Sequence, residues 1–219
     1  MFRQPRRMNV NSPQSATSET RDLRLDLLDA AMRIITESRN LSFSLRQLAD
    51  AAGTSTMSIY THFGNREGLH RALSARAYDL FAEELRQATS KVAEDGLLYQ
   101  RRAMAAAYRS FALDHPPAFD LLFGDIGSLG AAPALTNAHE GLPSPSESGY
   151  AVYGMHNSVF EVGVKQGLFP DDAPVRLLMD SFWAQMHGLV ALERLGYIRS
   201  PDDAADRFDY GVEAILRGL

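Results

Sequence analysis

Apolar residues recur at intervals of three and four along most of the chain, the spacing of one buried face of an α helix. No segment alternates apolar and polar residues with the period of two that a strand requires. The pattern therefore predicts an all-α protein with about nine helices. The predicted helices cover approximately residues 20–35, 45–52, 55–63, 66–91, 98–113, 115–123, 150–167, 174–195 and 201–217.

Two segments do not fit this pattern. Residues 1–19 are polar, rich in Ser, Asn and Pro, and are predicted to be a disordered N-terminal arm. Residues 124–148 contain four Gly and three Pro and are predicted to form a long loop, either functional or partly disordered.

The second and third predicted helices are short and meet at Gly53. Ser44 precedes the second helix as a residue type that caps helices, and Gly53 follows it where a left-handed C-cap is expected. We expect Met57, Ile59 and Tyr60 to face inward from the third helix. A tight turn containing Gly between two such helices is typical of a helix-turn-helix, whose second helix enters the DNA major groove.

The third helix carries short polar side chains where a packed helix would carry apolar ones. Such side chains reach phosphates and base edges without holding the helix away from DNA. The residues concerned are Thr54, Ser55, Thr56, Ser58 and Thr61. On this pattern alone, a helix pair that serves only packing remains an alternative.

Charge separates the same region from the rest of the chain. Residues 1–66 contain nine Lys+Arg and six Asp+Glu, a net charge of +3, whereas residues 67–219 contain the other 13 basic and 21 acidic residues, a net charge of −8. Together they give the net charge of −5. This distribution favours contact with a polyanion through residues 1–66 only, although arginines of a loose tail could also produce it.

Composition excludes several other classes of function. The chain has no Cys, which removes disulfides, thiolate nucleophiles and Cys-based zinc sites. Its six His lack the spacing of a metal site, and neither a G-x-S-x-G elbow nor a phosphate-binding glycine loop occurs. We therefore expect no catalytic activity, no cofactor and no metal. No apolar run could span a membrane and no signal peptide is recognisable, so cytoplasmic localisation is predicted.

The stretch "SFSLRQLADAAGTSTMSIYTHFGNREGL" strongly resembles the N-terminal domain of the Tet repressor (TetR/AcrR) family of bacterial transcription regulators. The resemblance covers about Asp22–Leu73, and the run "IYTHFGNREGL" is its most specific part. It implies a helix-turn-helix DNA-binding domain over 20–66 and a larger ligand-binding and dimerisation domain over 67–219.

The resemblance also implies roles for individual residues on double-stranded DNA. Arg46 matches a position that reaches a base or a phosphate, and Tyr60 matches a tyrosine that holds a phosphate. Arg66 stands where the family usually has Lys, and either cation can hold a phosphate. Thr54 and Ser55 would cap the helix and bind phosphate, whereas Thr56, Ser58 and Thr61 would face the groove. For His62, packing and phosphate binding both remain open.

In the C-terminal part, "FWAQMHGLVALERLGYI" resembles the Trp-x-x-x-His-Gly pattern of one subgroup of these regulators. Trp183 and His187 are four residues apart and share a helix face. They either form part of a packed core or line an effector cavity with other aromatic and His side chains. The predicted cavity residues are Phe119, Phe123, Tyr153, His156, Phe160, Trp183 and His187.

These expectations combine into one function. The chain is expected to be a homodimeric repressor that a small, mainly apolar molecule releases from a pseudo-palindromic operator. Dimerisation is expected through the last two long helices, about 172–195 and 200–217. The apolar residues expected at this contact are Leu177, Leu178, Ala184, Leu192, Phe208, Val212 and Ile215. An activator or ligand-independent DNA-binding protein of the same fold is one alternative, and an all-α enzyme or carrier that uses the aromatic C-terminal part is another.

Overall fold

The computed structural model describes residues 22–123, 147–169, 174–198 and 200–218. Within these ranges all regular secondary structure is α-helical and forms nine helices, which confirms the predicted fold class. The predicted arm 1–19 lies outside the described residues, as do residues 124–146 of the predicted loop. No helix in the described ranges is long and apolar enough to cross a membrane.

The first three helices are α1 (Leu23–Ser38), α2 (Leu45–Ala51) and α3 (Thr56–Phe63). A side-chain cap starts each of them, and the capping residues are Asp22, Ser44 and Ser55. At Ser44 the cap is reciprocal: the Gln47 backbone N–H donates to Oγ at 3.1 Å, and the Ser44 backbone N–H donates to Gln47 Oε1 at 2.9 Å. These bonds satisfy donors that a helix end would otherwise leave free.

Ile59 and Phe63 face the core where α3 packs against α2 and against the helix that follows α3. They are four residues apart, share one face of the helix and are 2% and 9% exposed. The prediction that Met57 and Tyr60 also face inward is wrong, because they are 70% and 48% exposed. Met57 lies two positions before Ile59. Because each residue turns the helix by about 100°, the Met57 side chain is on the opposite side of the helix.

A single long helix connects these three to the rest of the protein. This helix, α4 (Arg66–Ser90), begins at Asn65, whose Oδ1 accepts a hydrogen bond from Gly68 N at 2.8 Å. Its 25 residues extend for about 37 Å. Such a length lets it pack against both α1 and α3 and against helices of the C-terminal part.

The C-terminal part consists of α5 (Leu97–Asp114), α6 (Pro116–Phe123), α7 (Glu147–Lys165), α8 (Val175–Arg194) and α9 (Pro201–Gly218). Helix α7 begins three residues before the predicted start at position 150, so residues 147–148 of the predicted loop are helical. Helices α5, α6 and α7 pack on α4, and α9 packs along α8.

Ion pairs and one short helix fix the arrangement of this part. Arg109 of α5 pairs with Glu193 of α8, and Arg102 of α5 pairs with Glu213 of α9. The short helix α6 contacts both α1 and α4. It therefore joins the C-terminal part directly to the N-terminal helices.

Candidate functional site

The turn between α2 and α3 has the geometry that a helix-turn-helix requires. Gly53 has φ +65°, a left-handed conformation that costs glycine little and other residues about 1–2 kcal/mol. The backbone N–H of Thr54 donates to Ala49 O at 2.9 Å, which closes the end of α2. The expected left-handed conformation of Gly53 is thereby confirmed, and α3 starts three residues after it.

The start of α3 is a network of hydroxyl groups. Thr54 Oγ1 donates to Ser58 Oγ at 2.9 Å, and Ser55 Oγ lies 3.2 Å from the same atom. Ser55 Oγ also accepts the backbone N–H of Ser58 at 3.3 Å. Three of the predicted DNA-contact residues, Thr54, Ser55 and Ser58, therefore stabilise the start of α3. Each of them also remains at least partly exposed.

The exposed face of α3 carries the remaining polar side chains. Thr56, Thr61 and His62 are exposed, and Tyr60 is 48% exposed. Met57 is on this face, next to Tyr60 and Thr61, and sequence reasoning missed it as a candidate contact. An exposed Met offers apolar contact of the kind that can pack on a thymine methyl group.

Two arginines flank this face in different states. Arg46 is exposed on α2 and makes no ion pair or side-chain hydrogen bond within the described part of the chain. Arg66 at the start of α4 donates through Nη2 to Phe43 O at 3.0 Å. Arg66 is thus partly committed to holding α4 against the segment before α2, and its other donors remain for an external anion.

In the C-terminal part, four of the seven predicted effector-site residues contact each other. Phe119 stacks on His187 with ring centroids 5.7 Å apart, and Phe123 lies 5.6 Å from His187 and 6.0 Å from Trp183. Sequence reasoning missed the residue at the centre, Tyr108. Its ring is 5.6 Å from Phe119 and 5.7 Å from Phe123. We call these five residues the aromatic cluster.

Hydrogen bonds link the polar atoms of the aromatic cluster. The Tyr108 hydroxyl lies 2.8 Å from His187 Nδ1 and accepts the Trp183 indole N–H at 3.3 Å. Burial raises the pKa of Tyr108, and burial together with the charge of Arg194 lowers the pKa of His187. Both groups are therefore neutral near pH 7. The cluster can accept an uncharged or weakly polar molecule without burying a charge of its own.

The other predicted effector residues do not join this cluster. Phe160 contacts Phe169 at 5.8 Å and Phe182 at 5.6 Å, two aromatic partners that the sequence reasoning had not selected. His156 is buried one helical turn before Phe160. The Tyr153 side chain lies outside the described residues. The predicted effector residues therefore lie in two separate places. Tyr108 could have been predicted as a core residue of α5 from its helical spacing to Met104 and Phe111.

Helices α8 and α9 and the segment that joins them expose several apolar side chains. Leu192 is 45% exposed, and Leu177, Tyr197 and Tyr210 are 60%, 75% and 78% exposed. An open groove of about 690 Å³ lies between the two helices and is lined in part by Leu189, Leu192, Tyr197, Ile198 and Tyr210. We call this surface the α8–α9 face.

Not all residues expected at a dimer contact belong to this face. Leu178, Phe208 and Val212 are buried within the protomer, so the expectation that they lie at such a contact is wrong. These side chains pack between α8 and its neighbouring helices, so a single chain already buries them. Gly211 allows close helix packing, because an added Cβ there would lie 2.5 Å from Leu189 Cδ1.

Comparison with known proteins relates both parts of the chain to one family. Residues 27–73 match the family model of bacterial regulatory proteins of the tetR family, and residues 101–215 match the model of the tetracyclin repressor-like C-terminal domain. An uncharacterized HTH-type transcriptional regulator from Mycobacterium tuberculosis is 30% identical over 165 residues. That alignment covers 75% of this chain and spans 66% of the relative, just under two thirds of its length.

Solved structures share the fold over nearly the whole chain. A protein of unknown function from Rhodococcus sp. RHA1 is 25% identical, with a TM-score of 0.70 over 94% of this chain and 99% of that one. The transcriptional regulator FadR from Bacillus subtilis, in complex with stearoyl-CoA, is 15% identical, with a TM-score of 0.63 over 89% of this chain and 98% of that one. At the latter identity, the likeness concerns the fold alone.

Proposed function

The chain belongs to the tetR family of bacterial regulatory proteins and is a DNA-binding transcriptional regulator, and we propose that it is a homodimeric repressor released from its operator by a small molecule. The observation that carries the proposal is the exposed polar face of α3, presented by a left-handed turn at Gly53. That face supports contact with DNA by the residues around it, Arg46, Tyr60 and Arg66. We propose that this contact takes place in the cytoplasm. The contributing hydroxyl groups are those of Thr54, Ser55, Thr56, Ser58 and Thr61, with His62 beside them.

Two copies of α3 would read the two halves of a pseudo-palindrome. A two-fold axis places the same surface patch of both subunits against itself. The α8–α9 face supports such a contact, because Leu192, Tyr197 and Tyr210 are exposed and line its groove. Two copies would pair as a four-helix arrangement, a common way to bury helix faces of this kind.

The aromatic cluster is the place we propose for the effector. Its rings give apolar contact, and His187 and Tyr108 offer a small number of polar atoms, the usual composition of a small-molecule site. Stearoyl-CoA in the FadR structure supports the idea that this fold can hold an organic molecule. The effector itself remains to be identified.

Helix α6 supplies a physical connection from that place to the DNA-binding helices. It carries Phe119 and Phe123 of the aromatic cluster, and it packs on both α1 and α4. Ser74 Oγ on α4 donates to the Leu121 carbonyl of α6 at 3.3 Å. An effector that displaces the two phenylalanines would shift α6 and so change the separation of the two DNA-binding regions. Couplings of this kind are about 1–3 kcal/mol, a change of roughly 5- to 150-fold in affinity.

The test is a selection of fragments from the source genome by the full chain, followed by gel-shift titration with excess nonspecific competitor DNA. Repression predicts enrichment of a pseudo-palindromic site and reduced transcription from its promoter in a reconstituted assay. Increased transcription would point to an activator, and absence of sequence-specific binding would favour the carrier or enzyme alternative. Molecules made by the products of the neighbouring genes would then be tested. One that releases the protein from a selected fragment would be identified as the effector.

A further inference from the structure

Arg101 on α5 is a buried cation without a counter-charge in the part of the chain that the structure describes. Its side chain is 2% exposed, and it forms no ion pair with the described residues. Its Nε and Nη2 atoms also have no hydrogen-bond partner there. Burial lowers the pKa of Arg101 to about 10, so the group is still charged at neutral pH. A buried charge is strongly unfavourable unless something pairs with it.

The surroundings of Arg101 hold the guanidinium in place but leave its N–H groups free. The guanidinium carbon lies 5.0 Å from the centroid of Phe160 and 4.4 Å from that of Phe169. Cation–π attraction of this kind partly offsets the loss of water. It acts through the ring faces and gives the N–H groups no acceptor.

Gly163 on α7 makes room for the group. An added Cβ at Gly163 would collide with Nη2 of Arg101, so only glycine leaves space for the guanidinium beside the helix backbone. On the same helix, a Cβ added at Gly154 would have no other atom within 4 Å. The position of Arg101 therefore depends on a specific residue of a second helix.

The two unpaired atoms form one edge of the planar guanidinium. Arg109, two turns further along α5, uses the same edge: Nε donates to Glu193 Oε2 at 2.8 Å and Nη2 to Oε1 at 2.6 Å. A carboxylate accepts both bonds of such an edge simultaneously. Arg101 presents the same pair of donors with no acceptor in the described part of the chain.

A second buried polar atom lies on the same side of the core. His156 Nδ1 pairs with the Val152 carbonyl at 3.0 Å, so Nδ1 carries the proton and Nε2 is an acceptor. Nε2 is buried without a partner among the described residues. As an acceptor it does not compete with Arg101 for an anion. It shows that more than one polar group here lacks its hydrogen bond.

We propose that Arg101 binds the carboxylate of a small monocarboxylate, whose apolar body packs against Phe160 and Phe169, at a second site separate from the aromatic cluster. A single buried cation matches a single negative charge, and the aromatic neighbours match an apolar body. This site lies beside α7, away from the hydrogen bonds of the aromatic cluster. The inference therefore goes beyond the proposed function and does not depend on where the effector binds.

The test compares ligands that differ only in charge. The full chain without DNA is titrated by calorimetry with octanoate, decanoate and dodecanoate and with the alcohols of the same chain lengths, all below micelle-forming concentrations. We expect the carboxylates to bind about 10- to 100-fold more tightly than the alcohols. A chain that binds neither series, or binds both equally, contradicts the proposal.

Matched variants separate binding from structure. Arg101→Met should remove the preference for carboxylates while alcohols still bind and the melting temperature does not fall, because an unpaired buried charge has been replaced by an apolar side chain. Gly163→Ala should weaken carboxylate binding, whereas Gly154→Ala should not. A preference that survives Arg101→Met overturns the proposal. Because no DNA is present, that failure leaves the DNA-binding proposal intact, and a chain without specific DNA binding fails that proposal alone.

Discussion

The Tyr108 hydroxyl lies 2.8 Å from Nδ1 of His187, although the two residues are 79 positions apart in the chain. The contact joins α5 to α8, and the Trp183 indole N–H bonds to the same hydroxyl. Rings of α6 surround the three groups. One phenolic oxygen thus holds together the helices around the proposed effector site.

Replacing Tyr108 by Phe should lower the free energy of unfolding by about 1–3 kcal/mol, because His187 and Trp183 each lose a partly buried partner. Tyr99→Phe on the same helix is the matched control, since Tyr99 is 53% exposed, and it should change stability by less than about 0.5 kcal/mol. Urea unfolding followed by the emission of Trp183, the single tryptophan of the chain, measures both. Equal effects of the two changes would show that the Tyr108 hydroxyl has no structural role.

Stability should decrease as the pH is lowered from about 7.5 to 5.5. Burial lowers the pKa of His70, His156 and His187, with the nearby cations Arg66 and Arg194 adding to the effect at His70 and His187. In the unfolded chain these groups take up protons near pH 6.5, whereas in the folded chain they do so only at lower pH. The unfolded state then binds more protons, and the free energy of unfolding falls with falling pH.

Melting temperatures across this range provide the measurement for that pH dependence. Depressed carboxyl pKa values, such as that of Glu213 beside Arg102 and Arg217, contribute only at lower pH and do not disturb it. His156→Gln should reduce the slope, since it removes a buried histidine whose pKa burial lowers. A stability that stays constant or rises towards pH 5.5 would contradict the assignment of neutral, buried histidines.

Gly53→Ala should destabilise the protein by about 1–2 kcal/mol, because the left-handed conformation is unfavourable for alanine. Space is not the reason, since an added Cβ would meet no other atom within 4 Å. Gly188→Ala, in the middle of α8 and equally unobstructed, should stabilise the protein by about 0.5–1 kcal/mol. Thermal unfolding of the two variants should therefore show shifts of opposite sign, and shifts of the same sign would refute the conformational argument.

Sequence reasoning worked where the determining contacts are local. The Ser44 cap, the left-handed Gly53 and the bounds of α4 to within one residue all follow from residue types at short spacing. It failed at Met57, because an apolar side chain was taken as buried before the register set by Ile59 and Phe63 was applied.

The arrangement of the C-terminal part depends on contacts between distant segments. Tyr108 has the helical spacing of a core residue, but its bond to His187 depends on how α5 and α8 pack. The burial of Arg101 could not be predicted for a similar reason. A charged residue is recognised as lying on an apolar helix face only when the register of the helix is known. The separation of Phe160 from the aromatic cluster likewise required the positions of α7 and α8.

A charge on the α8–α9 face should prevent dimerisation. Tyr210→Glu places a carboxylate on a 78% exposed tyrosine within the apolar groove, where a second copy would have to bury it. Tyr99→Glu introduces the same change on α5, outside this face, and should leave the dimer intact. Sedimentation equilibrium at micromolar concentration distinguishes monomer from dimer. A wild-type monomer, or a Tyr210→Glu dimer as tight as wild type, would place the interface elsewhere or remove it.

Arg46→Ala should weaken binding to the selected operator by about 1–3 kcal/mol if Arg46 contacts a base, and should relax specificity at one position. Arg66→Ala should instead weaken all DNA sequences alike and reduce the salt dependence. Lys91→Ala removes the same charge about 37 Å away, at the other end of α4, and serves as the control. Fluorescence anisotropy at several salt concentrations separates these outcomes, and three equal effects would overturn the residue assignments.

The central claim is that α3 reads DNA from a two-fold symmetric dimer, and footprinting of a genome-selected fragment with wild type and Thr56→Glu tests it most directly. Thr56 is the exposed first residue of α3, where a carboxylate favours the helix but opposes phosphate, so the variant should fold and lose the site. We predict that wild type protects two half-sites whose centres lie about one helical turn of DNA, or a multiple of it, apart. The variant should protect neither. A wild-type chain that protects no site, or a Thr56→Glu variant with an unchanged footprint, would contradict the account.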